Sequence, residues 1–108
     1  MDSGKFQIEY FEDAKGNIPY LNWYNSLKDL QAKQKIMVRL SRVRNGNLGT
    51  INKVGSGVSE LKIDYGPGYR IYFGRKGNAL VILLCGGTKK SQHKDIELAQ
   101  EYWGNYRK

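Results

Sequence analysis

The amino-acid sequence predicts a single α+β domain, spanning residues 1–108, in which helices cover a β-sheet. Three observations support this fold class. The length of 108 residues suits one hydrophobic core. Apolar residues recur at helical spacing in three segments, and in shorter segments they alternate with polar residues as in strands. The predicted order is β-αα-βββ-α, with an antiparallel-dominated sheet, a helical hairpin packed on one face and a C-terminal helix.

The N-terminal third predicts one strand and two helices. Phe6, Ile8 and Tyr10 alternate with polar residues, which is typical of a half-buried strand. Asn17 suits a helix cap and Pro19 suits the first turn that follows. The apolar stripe of the first helix consists of Tyr20, Trp23, Tyr24 and Leu27, and that of the second of Ala32, Ile36, Leu40 and Val43. We expect the first strand to pair with one from the far end of the chain.

The second helix should end at Asn45-Gly46, and residues 47–57 are polar and glycine-rich, which predicts a loop. Three strands are then expected, over residues 58–64, 69–74 and 79–85. The apolar positions of the first two should face the core, and the third is apolar throughout, as in a strand buried on both faces. Residues 86–90 are expected to form a loop. Ser91 should cap a last helix with an apolar stripe of Ile96, Ala99, Tyr102, Trp103 and Tyr106.

Charge is distributed unevenly along the chain. The formal net charge is +8, but residues 1–30 carry three Lys and five acidic residues, whereas residues 31–108 carry fifteen Lys or Arg and five acidic residues. A basic excess of this size points to a polyanionic partner, most often a nucleic acid, or to an acidic protein. The alternative is that the basic residues only keep the domain soluble.

Several classes of protein are not expected. The longest apolar run has seven residues, far fewer than the roughly 20 that a membrane-spanning helix needs. The first five residues lack a secretory signal pattern, and one cysteine cannot form an internal disulfide, so we expect a cytoplasmic protein. The single His and scattered acids lack the spacing of a zinc site, so the sequence predicts neither a metal nor another cofactor. Cys85 ends an apolar strand and should be a buried hydrophobe.

Strand alternation places Arg70 and Tyr72 opposite the core side of their strand, where we expect an open face. If the strands pair through the turn at 65–68, Lys62 lies within one or two cross-strand positions of Arg70. Cations and His93 just beyond the next strand complete a set suited to phosphate chemistry, because Arg binds phosphate through a rigid fork of donors and His titrates near neutrality. The candidate catalytic residues are Arg70, Lys62, Lys90, His93 and Tyr72.

A second set of residues is expected to bind RNA. Aromatic rings can stack on unpaired bases, and exposed cations can contact the phosphate backbone. The candidates are Lys89, Lys94, Tyr65, Tyr69, Lys33, Lys35, Arg39 and Arg42. Structural alternatives remain open: Lys62 can belong to an ordinary charged strand face, Arg70 can form a salt bridge with an acid on the next strand, and His93 can lie on the helix surface.

Two blocks of sequence resemble a known family. Residues 57–73 (GVSELKIDYGPGYRIYF) and 83–96 (LLCGGTKKSQHKDI) are similar to the central blocks of the addiction-module killer proteins, a HigB-like, phage-derived (Gp49-like) branch of the RelE/ParE toxin superfamily. The Tyr10-Phe11 segment and the helix with Pro19 and Trp23 also fit. The resemblance implies a RelE-like fold and the toxin of a type II toxin–antitoxin pair. Most such toxins cleave mRNA without metal, commonly on the ribosome, through attack of a 2′-hydroxyl on the adjacent phosphate.

By the same resemblance, Arg70 matches the strand arginine that holds the scissile phosphate, and Lys62 a lysine in proton transfer or charge stabilisation. Glu60 stands where the best-known ribonucleases have another lysine, so the identity of the base stays open. The implied partners are mRNA, ribosomal RNA and an antitoxin, expected to be a helix-turn-helix protein encoded next to this gene. Two alternatives remain: a ParE-like toxin that inhibits DNA gyrase without cutting RNA, and an inactive relative that only binds its antitoxin.

Overall fold

The computed structural model describes residues 5–108; the first four residues of the predicted domain, and the signal-free start predicted there, lie outside the described part. The described chain forms five strands and three α-helices, which confirms the α+β class. The order is β1 (Gln7–Tyr10), α1 (Pro19–Ser26), α2 (Leu30–Arg44), β2 (Ile51–Gly55), β3 (Val58–Ile63), β4 (Tyr69–Lys76), β5 (Leu80–Thr88), a short 3₁₀ turn (Lys89–Ser91) and α3 (Gln92–Tyr106).

The strands form one mixed sheet in the order β1-β5-β4-β3-β2. Strand β1 runs parallel to β5, and the three other pairs are antiparallel. The predicted pairing of the first strand with one from the far end of the chain is therefore confirmed. The chain between β1 and β5 forms the helical hairpin and then β2, β3 and β4. The two central strands, β4 and β5, both come from the second half of the chain.

The helical hairpin covers one face of the sheet, as predicted. The apolar stripe of α2 is buried, and Tyr20 of α1 is 3% exposed. These residues pack on the side chains of β3, β4 and β5 that point towards them, including Leu61, Ile71 and Phe73. Trp23 lies directly over Gly86 of β5, where an added Cβ would overlap the indole ring. The glycine therefore lets α1 approach the sheet closely.

The opposite face, which the sequence analysis expected to be open, is covered by α3. The stripe of α3 packs on Tyr72, Ile82 and Leu84 of the central strands. Trp103 lies over Gly74, where a Cβ would come within 2.5 Å of the ring, and over Gly57. Each face of the sheet thus carries a tryptophan seated on glycine. Because α3 packs so closely, side chains on this face near the middle of the sheet are buried.

Two predictions about the strands were wrong. Residues 47–57, expected to be a loop, contain β2, which lacks an apolar alternation because it is an edge strand with exposed Asn52 and Lys53. Strand β5 does not end at Cys85 but continues to Thr88. Its glycines are not loop residues: Gly87 pairs with Arg70 of β4, and a Cβ at Gly87 would occupy the position of the Asp95 carboxylate.

The predicted helix caps were partly wrong. The N-cap of α1 is Ile18, with Pro19 in the first turn, whereas Asn17 bonds to the Asp13 carboxylate in the preceding turn. Asp29 caps α2 and accepts hydrogen bonds from the N–H groups of Gln31 and Ala32, which lowers the pKa of its carboxyl group. Ser91 holds the N-cap position of α3, but its hydroxyl donates to the Asp95 carboxylate instead. The predicted stop at Asn45-Gly46 is confirmed, with Gly46 at a φ of 94°.

Replacing Gly86 with Ala should lower the free energy of unfolding by about 1–3 kcal/mol, the usual cost of adding a methyl group to a filled site. The reason is that the new Cβ overlaps Trp23. Gly104→Ala is the matched control: this helical position has no neighbour within 4 Å, so alanine should raise stability by about 0.5–1 kcal/mol. Urea unfolding measures both. Equal effects of the two variants would show that Trp23 does not depend on Gly86.

Candidate nucleic-acid interface

Arg70, the central candidate, is nearly buried and paired with an acid. Its side chain is 8% exposed, and its Nε lies 3.4 Å from Oε2 of Glu60 on β3. The two residues are diagonal neighbours, because Glu60 pairs with Tyr72 and Lys62 with Arg70. The predicted alternative, a salt bridge to an acid on the next strand, is therefore confirmed. The expectation that Arg70 stands on an open face is wrong.

Glu60 is the residue on which this buried polar cluster converges, and its side chain is 1% exposed. Gln92, in the first turn of α3, donates to Oε2 at 2.9 Å, and Asn52 of β2 donates to Oε1 at 3.4 Å. Three elements thus meet on one carboxylate. Gln92 was not among the predicted site residues, since nothing in the pattern of α3 shows that its N-terminus reaches β3.

Two aromatic candidates are also buried. Tyr72 is fully buried beneath α3, and burial, followed by the negative charge of Glu60, raises the pKa of its hydroxyl. Its Oη and Nε of Arg70 are the buried side-chain polar atoms of residues 5–108 that lack a hydrogen-bond partner. Tyr69 is 6% exposed and packs with α1 on the other face. Neither ring offers a surface to a base, because helices cover both faces of the central strands.

The end of the β3–β4 hairpin brings three of the predicted cations together. Lys62 lies directly across from Arg70 in the strand pairing, closer than the sequence required. Arg70 Nη1 and the backbone N–H of Lys89 both donate to the carbonyl of Gly68, at 3.4 and 2.9 Å. A Cβ placed on Gly68 would lie within 4 Å of both Arg70 Nη1 and the Lys89 side chain. We call Lys62, Arg70 and Lys89 the cationic corner.

The remaining candidates beyond β5 are exposed. Lys90 belongs to the 3₁₀ turn, and His93 and Lys94 lie in the first turn of α3. The His93 side chain is 95% exposed, with its Nε2 3.8 Å from Glu97 one turn later. His93 therefore lies on the helix surface, as the structural alternative predicted, while the neighbouring Gln92 points inward to Glu60.

A polar groove lies beside the cationic corner, between α2 and the end of β3. Strand β2 begins at Ile51, opposite Leu61, so Lys62 and Ile63, the last two residues of β3, form a free edge of the sheet, and Asp64 follows them. The main part of the groove has a volume of about 500 Å³ and adjoins a second cavity of about 400 Å³. The two share four lining residues: Arg39, Arg42, Lys62 and Asp64. Asp64 was not among the predicted site residues.

The four α2 cations that were predicted to bind RNA divide into two groups. Lys35, Arg39 and Arg42 line the polar groove. Arg39 is fixed there, because its Nη2 donates to the carbonyls of Leu48 and Thr50 at 2.6 and 3.4 Å. Burial and the charge of Arg42 lower the pKa of Arg39. Lys33 lies elsewhere, 4.9 Å above the ring of Tyr24.

Tyr65 is partly buried and contacts two residues that line the groove, Lys35 and Gln31. Its ring stacks on Tyr69, and Nζ of Lys35 lies 5.3 Å from the ring centre. Its hydroxyl is within 3.0 Å of the Asp29 carboxylate, a hydrogen bond that raises the pKa of Tyr65. The ring therefore positions Lys35 and joins the groove to the cap of α2.

The structure also bears on other chemistries. Cys85 is buried, as predicted, and burial raises the pKa of its thiol to about 12. Within residues 5–108 no three His, Cys, Asp or Glu side chains come together as a metal-binding group. None of the helices in the same range is long and apolar enough to cross a membrane.

Together these features define an α+β protein whose five-stranded mixed sheet is covered on both faces and edged by a cationic groove. Among curated proteins, the chain is similar to an uncharacterized protein of Haemophilus influenzae, with 46% identity over 86 residues that span 80% of this chain and 87% of the relative. The chain belongs to the same family as this Haemophilus protein. No protein-family model matches the sequence.

Replacing Glu60 with Ala should lower the free energy of unfolding by about 3 kcal/mol, because the charge of Arg70 loses its partner in a nearly buried site. The double variant Glu60→Met, Arg70→Met should recover most of this loss, since a buried ion pair is often replaceable by apolar side chains. Chemical denaturation of both variants tests the pair. A single variant as stable as the wild type would contradict it.

The thiol of Cys85 should react slowly in the folded protein. At pH 8 a thiol with a pKa near 12 is almost entirely protonated, and the side chain is buried, so the nucleophilic thiolate is scarce and inaccessible. We expect labelling by a disulfide reagent to be much faster in denaturant than in buffer. Cys85 is the only cysteine of the chain, so the signal is unambiguous. Equal rates in the two solutions would show that the site opens readily.

Proposed function

We propose that the protein is the toxin of a type II toxin–antitoxin pair with a RelE-like fold, acting in the cytoplasm as a metal-independent endoribonuclease that cleaves mRNA on the ribosome and inhibits translation. The observation that carries the proposal is the cationic corner, in which Lys62, Arg70 and Lys89 meet at the end of the β3–β4 hairpin. The resemblance of residues 57–73 and 83–96 to killer proteins supports it.

To cleave RNA, the cationic corner must stabilise negative charge and transfer protons. The 2′-oxygen of one nucleotide attacks the adjacent phosphorus and loses its proton, and the bond to the 5′-oxygen breaks as that oxygen gains one. Negative charge grows on the phosphoryl oxygens, and preformed cations stabilise it. Arg70 supplies a fixed charge held by Glu60, whereas Lys62 and Lys89 are exposed and free to reach a substrate. Lys90 and His93, which follow Lys89 in the chain and are exposed, are the further proposed proton-transfer groups.

The proposed protein partner is an antitoxin encoded by the neighbouring gene. An acidic segment would complement the basic excess of residues 31–108. We expect the adjacent reading frame to encode a small helix-turn-helix protein, and co-expression of that protein should relieve toxicity.

A second function is favoured by the buried ion pair. Glu60 neutralises Arg70 where an exposed guanidinium would serve phosphate binding better. A relative that binds its antitoxin, or a protein such as gyrase, without cutting RNA would tolerate this arrangement. Measurements of growth, of new mRNA 5′ ends and of gyrase inhibition separate these functions.

Lys62→Ala should lower the rate of RNA cleavage about 100-fold if Lys62 acts in proton transfer. Wild-type protein induced in cells should halt growth and create new mRNA 5′ ends. Lys62 is exposed, so its loss should leave the fold intact, which is not assured for Arg70→Ala. Lys53→Ala removes the same charge from an exposed position on β2, outside the cationic corner, and should behave as the wild type.

The outcomes discriminate between the functions. Growth arrest without new 5′ ends would exclude the ribonuclease, and inhibition of purified gyrase would then identify the second. Full cleavage by Lys62→Ala would place the chemistry elsewhere. No arrest and no cleavage by the wild type, with antitoxin still bound, would identify a binding-only relative.

A further inference from the structure

The groove between α2 and β3 has a chemistry of its own. It is lined by Lys35, Arg39, Arg42 and Lys62, with Asp64 as its single acidic lining residue. Across residues 5–108, ion pairs join Glu60 with Arg70 and His93 with Glu97. Within that described range, therefore, no carboxylate lies at ion-pairing distance from the groove cations, although these cations line the same cavity.

Such an arrangement costs free energy unless an anion occupies it. Like charges in one cavity repel each other, and the repulsion is stronger where part of the surroundings excludes water. Arg39 cannot swing away to relieve it, because its guanidinium is held by the carbonyls of Leu48 and Thr50. Gly49 supports this position: its φ is +64°, and a Cβ there would lie 2.8 Å from Arg39 Nη2. The loop before β2 thus fixes a cation in the groove.

The spacing of the cations suits a chain of phosphates. Lys35, Arg39 and Arg42 follow one another along one side of α2, and the seven helical steps from Lys35 to Arg42 span about 10 Å. Successive phosphates of one strand rise about 3.4 Å along a B-DNA axis and lie farther apart in an extended single strand, so cations spread over this length can contact two or three phosphates of one strand. Lys62 is shared by the groove and the cationic corner, so a strand in the groove leads to the corner.

We propose that this groove binds the phosphate backbone of single-stranded RNA and delivers it to the cationic corner. The proposal rests on the proposed function for the identity of the ligand. Lys35, Arg39 and Arg42 were already RNA-binding candidates from the sequence; the structure adds that they line one groove with Lys62. The strand face of Arg70 and Tyr72 is closed to RNA, because α3 covers it. The cations of α2 then hold the same strand that the corner acts on. A groove of about 500 Å³ beside a sheet edge accommodates one strand more readily than a duplex.

The test measures RNA binding separately from cleavage. The probe is a fluorescein-labelled, 2′-O-methylated uridine 12-mer, which cannot undergo 2′-hydroxyl attack, and the readout is fluorescence anisotropy. The groove variant is Lys35→Ala with Arg42→Ala. The matched control is Lys53→Ala with Arg75→Ala, which removes one lysine and one arginine from another cleft, at the far ends of β2 and β4.

We expect the groove variant to bind the probe at least tenfold more weakly and to lower the slope of log affinity against log salt by about 0.7 for each lost phosphate contact. The control should bind within about twofold of the wild type. Asp64→Asn should tighten binding, because Asp64 is the single acidic residue among those of residues 5–108 that line the groove. Circular dichroism of each variant checks that the fold is retained.

Equal weakening by the groove and control variants would overturn the proposal, since binding would then follow total charge alone. Equal affinity for a duplex of the same length would overturn its single-strand part. Groove-dependent binding without cleavage of unmodified RNA by the wild type would leave the groove standing and remove the ribonuclease. Undiminished cleavage by the groove variant would exclude the groove as the route to the cationic corner and leave the ribonuclease standing.

Discussion

The two central strands, β4 and β5, must be covered on both faces, and the rest of the structure depends on this constraint. Residues 81–85 are buried without interruption, so neither side of the strand can face water. The helical hairpin covers one side and α3 the other. At roughly 25 cal/mol for each Å² of apolar surface buried, this double covering is the main source of stability.

The helices can pack this closely only because the sheet has no side chain beneath the tryptophan rings. Trp23 and Trp103 each sit on glycine, at Gly86 and Gly74 respectively, because a Cβ at either position would overlap the ring. A bulge in β5, opposite the step from Tyr72 to Phe73, then turns both Leu84 and Cys85 towards α3. The glycines that look like loop signals in the sequence are therefore packing positions.

The same covering decides which charges stay available. Arg70 falls beneath the N-terminal end of α3, and an arginine there is tolerated only with a partner, which Glu60 provides. Lys62, two residues further along β3, lies beyond the edge of β2 and stays exposed. Within the β3–β4 pair, the charge of Arg70 is thus buried and that of Lys62 is accessible. The accessible cations lie at the end of the hairpin and in the groove beside α2.

Much of the fold follows from local pattern. The apolar stripes of the three helices, the hairpin through 65–68 and the burial of Cys85 were all predictable, since period and turn chemistry act over a few residues. Strand β2 was not, because an edge strand buries too little to need an apolar alternation. The extension of β5 through Gly87 was not either, because glycine marks both loops and close packing.

The candidate site, like the fold, was predictable from the sequence only in part. The sequence by itself determined the basic excess of the second half, the facing of Lys62 and Arg70, and the possibility that Arg70 pairs with an acid on the next strand. Only the tertiary structure decided that α3 covers Tyr72, that Gln92 reaches Glu60 and that Arg39, Arg42 and Lys62 line one groove. Alternation along a strand tells which side chains share a face. Whether that face meets water depends on a helix from another part of the chain.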